Sequence, residues 1–128
     1  MPRNKIAVDF DGVINSYVSG WTGKTDLPDL PVPGAFQWLE EISKSYGIII
    51  HTARFEKLSD SNHKVILALD AWFRKHGLSE DVLRDLQYWT DPGKPKAVMY
   101  VDDRAYRFVG DNFPSVDVIA NLRPWGEK

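Results

Sequence analysis

Apolar residues recur along this chain in two rhythms. Three short unbroken runs, at 6–8 (IAV), 48–50 (III) and 98–101 (VMYV), lack the alternation of a half-solvated strand. Runs of that kind belong to strands buried on both faces. Between them the spacing turns helical. Phe36, Leu39, Ile42 and Tyr46 fall on one helical face, with Pro33 suited to the first turn and Gly47 to the stop. In "SDSNHKVILALDAWFRKHGL" the residues Val65, Ile66, Leu69, Trp72 and Phe73 form a second stripe, with Ser and Asp as N-caps and Gly77 as the C-terminal signal. A short helix is expected over 79–84, a weak strand over 86–89, and a helix over 114–122 whose Val-rich start leaves a strand open. From Gly12 to about Val32, glycines and prolines forbid a long regular element, so this stretch reads as an extended loop.

Strands alternating with helices imply right-handed crossovers and a mostly parallel sheet with helices on both faces, a Rossmann-like three-layer α/β sandwich. Ligands of such sheets bind beyond the carboxyl ends of the strands. Asp9 and Asp11, Thr52, and Asp102 and Asp103 each follow a separate predicted strand. The topology therefore predicts that they converge on one edge.

Composition narrows the setting. A chain of 128 residues, 43% hydrophobic, supports one domain, expected over 1–128. A formal net charge of −2 makes no electrostatic case for nucleic acid or membrane as a main partner, and nucleic acid enters only as a candidate substrate. The absence of cysteine removes disulfides, thiolate metal sites and cysteine nucleophiles. The first twenty residues hold no long apolar block, so neither a signal peptide nor a membrane span is expected, and a cytoplasmic location follows as an expectation.

The acids then pose a physical problem. Two carboxylates about 4 Å apart repel by roughly 4 kcal/mol at an effective dielectric of about 20. Four of them in one cleft demand a hard dication, and oxygen-only ligation without a His or Cys cluster points to Mg²⁺. Mg²⁺ commonly partners a phosphate; the Thr52 hydroxyl and an ammonium from Lys94 or Lys96 are the complementary groups a phosphoryl oxygen needs. "GWTGKT" (residues 20–25) imitates a phosphate-binding P-loop but has Val18 where that motif requires glycine. His51, His63 and His76 are scattered and suggest no metal site.

The order of "DFDGV" (9–13), "HTAR" (51–54), "GKP" (93–95) and "VDDRA" (101–105) resembles the haloacid dehalogenase (HAD)-like hydrolase superfamily over nearly the whole chain. More narrowly, "SGWTGKTDLPDLPVPGA" with "KPKAVMYVDDRA" looks like a group of small hydrolases met in phages and prophages. That resemblance implies a phosphomonoesterase in which Asp9 is the nucleophile that forms an aspartyl-phosphate and Asp11 the general acid and base. It implies Mg²⁺ held by Asp9, the backbone carbonyl of Asp11, and Asp102 or Asp103. Thr52 would bind a phosphoryl oxygen and Lys94 would offset charge developing in the transition state. Lys94 lies unusually close before the last motif, so Lys96 remains its alternative.

Superfamily members often carry a separate cap domain, and no interval here has room for one. An uncapped site suits a bulky phosphorylated substrate, or closure by a flap or second subunit; the oligomeric state is left open. The flap-like loop at about 13–32 offers Trp21 and Lys24 as substrate contacts, with Arg54 a further candidate and Arg104 beside the last motif. Two rivals stand beside the hydrolase: a non-catalytic module that binds Mg²⁺ or phosphate, and a receiver-like signalling domain.

Overall fold

The apolar runs at 6–8 and 48–50 become the two central, buried strands of a parallel sheet. The run at 98–101, expected to be buried on both faces, instead forms an edge strand with Met99 and Tyr100 exposed, because no helix among the described residues packs over it. The computed structural model describes residues 3–122; the expected domain range 1–128 runs past them at both ends. In chain order the elements are β1 (Lys5–Asp9), α1 (Ala35–Ile42), β2 (Gly47–His51), α2 (Asn62–Lys75), α3 (Glu80–Asp85), β3 (Gln87–Tyr88), β4 (Met99–Val101) and α4 (Val116–Asn121). The strand order is β3-β2-β1-β4, and every pairing is parallel. Asp9 lies in register with His51, and Val8 with Val101. Three strands therefore end side by side at one edge.

Side-chain alternation divides the sheet. Ile6, Val8, Phe10, Ile48 and Ile50 join Leu39 of α1, Val65, Leu69, Trp72 and Phe73 of α2, and Val82 and Leu83 of α3 in one core. Each such large apolar side chain contributes roughly 1.5–3 kcal/mol by leaving water. Ala7 and Ile49, of opposite parity, are also buried but lie outside that cluster. Ala7 lines a cavity together with Lys94, Val98, Tyr100 and Phe108, so chain from around and beyond β4 lies near that face. The expected α/β architecture with its parallel sheet is present. A packed helical layer on the second face is not supplied by α4, which buries none of its residues.

Local signals held in part. Ser79 caps α3 through a bond that its Oγ accepts from Val82 N at 3.3 Å, and Gly77 leaves α2 at φ +93. The expected Ser/Asp cap of α2 does not form. Ser61 stands at that position without a side-chain cap bond, and its hydroxyl pairs with Ser59 instead. Asn62 takes over the bracing, its Oδ1 accepting from Glu56 N at 2.8 Å. The helix expected from Pro33 begins at Ala35 after Gly34 at φ +86, and it unwinds through turns from Ile42 to Gly47.

The long loop is fixed along much of its path. Val32 N donates to Ile14 O at 2.7 Å and Ser16 N to Leu30 O at 3.0 Å. Buried Asp29 accepts from Ser19 N at 3.0 Å and Ser19 Oγ at 2.6 Å, while its own carbonyl accepts from the Trp72 indole at 3.0 Å. These bonds fasten the loop to itself and to α2.

Candidate active site

The site is built outward from Phe10. This ring is fully buried, edge-on to Trp72 and Phe73 at centroid distances of 5.0 and 5.8 Å. Its burial fixes the end of β1 between the two acids of "DFD". The Phe10 carbonyl then accepts from the amides of Val13, Ile14 and Asn15, closing a tight turn in which Gly12 adopts φ +86. Glycine is required at this position twice over. The left-handed backbone disfavours a side chain, and a Cβ would stand 2.4 Å from Asp103 Oδ2.

That close approach brings the strand ends together. Asp9, Asp102 and Asp103 each present a carboxylate oxygen within 4.8 Å of the others. The Asp9 carboxyl is pushed up to about 7, first by burial, then by the charges of Asp102 and Asp103, with Asp11 adding a little. The bond that Asp9 Oδ1 accepts from Phe10 N at 2.9 Å opposes the rise. Asp103 Oδ1 is buried with no hydrogen-bond partner among the described residues. Asp102 Oδ1 accepts from the backbone N–H of Arg104 at 2.7 Å. Three carboxylates, one with an orphaned buried oxygen, suit a small hard dication better than a soft metal or an organic cation.

Asp11 goes elsewhere. Its carboxylate receives Arg54 Nε at 2.8 Å and Nη2 at 3.0 Å, and Asn15 Nδ2 at 2.9 Å. The Arg54 side chain is 1% exposed and that of Asp11 18%. Arg54 Nη1 also donates to the carbonyls of Gly23 at 2.7 Å and Lys24 at 3.0 Å. One guanidinium thus joins Asp11, the end of β2 and the long loop. Its carbon lies 5.1 Å from the Trp21 ring centroid and 5.9 Å from that of Phe10.

A cavity of about 900 Å³ opens over the triad, lined by Asp9, Asp11, Thr52, Arg54, Asp102, Asp103 and Arg104 with Tyr17 and Trp21 of the loop. Thr52 is buried on that lining, and its Oγ1 accepts from Arg54 N at 3.2 Å. A second cavity of about 560 Å³ shares Asp9, His51 and Asp102 with the first and contains Lys94. The Lys94 ammonium lies 4.2 Å from the Tyr100 ring centroid. Lys96 lines neither cavity, so of the two lysines Lys94 has the closer relation to Asp9.

The fold therefore gathers Asp9, Asp102, Asp103, Thr52 and Trp21 around one space, with Lys94 across a shared wall. It does not bring in Lys24, whose ammonium pairs with Glu56 outside the cavity lining. Arg54, expected to meet substrate, spends its donors on the protein, and the Asp11 carboxylate is absent from the triad.

Several contributors escaped sequence reasoning: Asn15 as a buried brace for Asp11, Tyr17 on the cavity wall, and the seating of Asp103 against Gly12. The only hint was a polar residue closing the apolar "VIN" run. No protein-family model matches the chain, and no curated protein matches it.

Proposed function

We propose that this protein is a Mg²⁺-dependent phosphomonoesterase of the HAD-like type, without a separate cap, working through an aspartyl-phosphate on Asp9. The observation that carries this reading is the triad of Asp9, Asp102 and Asp103, with its orphaned Asp103 oxygen, on the floor of a large cavity. Those three carboxylates would hold the ion, and the ion supplies the positive charge that lets a carboxylate approach a phosphate dianion.

The chain's own groups divide the remaining work. Asp9 Oδ2 is free of the Phe10 amide and serves as the attacking atom. It forms a bond to phosphorus as the ester oxygen leaves; water then cleaves the acyl phosphate and restores the carboxylate. The Thr52 hydroxyl, already accepting from Arg54 N, keeps its own proton to donate to a phosphoryl oxygen. Lys94 brings an ammonium to the wall that Asp9 and Asp102 share. The HAD-like reading assigns Asp11 to protonate the leaving oxygen, a role that its bonds to Arg54 oppose.

The Arg54 clamp on Asp11 favours a second reading, a module that binds the cation and phosphate without turnover, because a carboxylate whose two oxygens both accept from a buried guanidinium is not free to reach a leaving oxygen. Hydrolysis of p-nitrophenyl phosphate with and without Mg²⁺, beside Asp9→Asn, separates the two. Turnover that needs both Mg²⁺ and Asp9 supports the hydrolase. Binding without turnover supports the module, and stable labelling of Asp9 by a phosphodonor supports a receiver.

A further inference from the structure

The cavity is far larger than a phosphoryl group needs, and two aromatic side chains, Tyr17 and Trp21, stand on its lining. At about 900 Å³ it matches pockets that enclose a whole small-molecule ligand. Trp21 lines it with 57% of its surface exposed, an unusual placement for the largest apolar side chain. The buried Arg54 guanidinium lies over this ring, its carbon 5.1 Å from the centroid, and is itself fixed by Asp11 and by the carbonyls of Gly23 and Lys24 on the same loop. The result is an exposed apolar ring on the cavity wall with a cation on one side, a surface on which a planar group can stack.

Polar groups share the cavity lining with this ring. Tyr17 holds the left-handed backbone at φ +59, a conformation costly for a tyrosine and sustained by the bond that Asn15 Oδ1 accepts from Tyr17 N at 3.3 Å. Its hydroxyl makes no hydrogen bond among the described residues and belongs to the same cavity wall. The Arg104 guanidinium, also on that lining, has no side-chain partner among the described residues. A stacking surface beside an uncommitted hydroxyl and guanidinium fits a ligand with a planar ring, a polar ring edge and a sugar. A plain phenyl ring would leave those groups unused.

We infer that the leaving group is a nucleoside, its base stacked on Trp21 while its phosphomonoester meets the triad, either as a free nucleotide or as the end of an oligonucleotide. This inference rests on the phosphomonoesterase reading, and Trp21 is then a specificity-determining residue.

The test compares kcat/KM for a nucleoside 5′-monophosphate, a 5′-phosphorylated oligonucleotide, phosphotyrosine and glycerol phosphate, in the wild type, Trp21→Ala and Trp21→Phe. Base stacking predicts that the preference for a nucleoside substrate over glycerol phosphate falls about 5- to 100-fold in Trp21→Ala and largely returns in Trp21→Phe. Selectivity in the first arm alone marks a free nucleotide, and selectivity in the second marks a strand end. The inference is overturned if both nucleoside arms are no better than glycerol phosphate, if phosphotyrosine is preferred, or if Trp21→Ala lowers every substrate equally. A parallel titration of Asp9→Asn with nucleotide follows the fluorescence lost when Trp21 is replaced by Phe. Quenching of that signal, with the wild type inactive on every substrate, would retain the nucleoside site and discard the hydrolase. Hydrolysis of glycerol phosphate without nucleoside preference or quenching would do the reverse.

Discussion

Replacing Arg54 by alanine tests how the site is held together. The side chain is almost wholly buried, donates two bonds to Asp11, and gives further bonds to the carbonyls of Gly23 and Lys24. Its removal leaves the Asp11 carboxylate, 18% exposed, with Asn15 as its one side-chain donor among the described residues. Breaking one partner out of a buried pair costs about 3–5 kcal/mol, because the charge left behind has lost its hydration. For a domain of this size that corresponds to a fall in Tm of about 10–20 °C. Urea denaturation followed by circular dichroism measures the loss. Asp11→Asn in the Arg54→Ala background removes the stranded charge and should recover part of the loss, a coupling that a double-mutant cycle isolates. A cost below about 1 kcal/mol for Arg54→Ala, or additivity in the cycle, would refute the clamp.

Three further outcomes follow from single features. Gly12→Ala places a methyl group on Asp103 in a backbone conformation that already disfavours it; the Mg²⁺ concentration for half-maximal activity should rise about tenfold or more, and an unchanged metal titration would contradict the packing. The folded Asp9 carboxyl, at about 7 against 3.8, keeps a proton that the unfolded chain has released. The stability this adds is full below pH about 4 and is lost as pH rises through about 7, on the order of 4 kcal/mol as an upper bound. Urea midpoints in chelator should therefore fall over that window more steeply for the wild type than for Asp9→Asn, and Mg²⁺ should flatten the difference; parallel slopes in chelator would show that Asp9 is not perturbed. Ser79→Ala removes the cap of α3 and should cost about 1 kcal/mol in the same assay, with no effect on metal dependence.

What the sequence made legible was whatever local chemistry decides. Unbroken apolar runs marked two buried strands, β1 and β2, and a third, β4, that is an exposed edge, while parallel order placed Asp9, Thr52, Asp102 and Asp103 at a common edge. Glycine after "DFD" announced a turn. Long-range pairing was not legible. Arg54 and Asp11 are far apart in sequence, and nothing in "HTAR" distinguishes a guanidinium that binds phosphate from one that binds the protein. Lys24 sits on the loop expected to meet substrate, yet Glu56 claims its ammonium. The same limit applies to α4: its helical register could be read, but whether Val116 and Ile119 find a surface to cover depends on the rest of the fold, and both stay exposed.

The central claim is that Asp9, supported by Asp102 and Asp103, forms a covalent bond to phosphorus. Acid quenching during turnover of a radiolabelled phosphomonoester, followed by peptide mapping, examines it directly. The account predicts Mg²⁺-dependent label on the peptide that carries Asp9, absent in Asp9→Asn and strongly reduced when both Asp102 and Asp103 are changed to Asn. Label on another residue, or undiminished hydrolysis by Asp9→Asn, would contradict it.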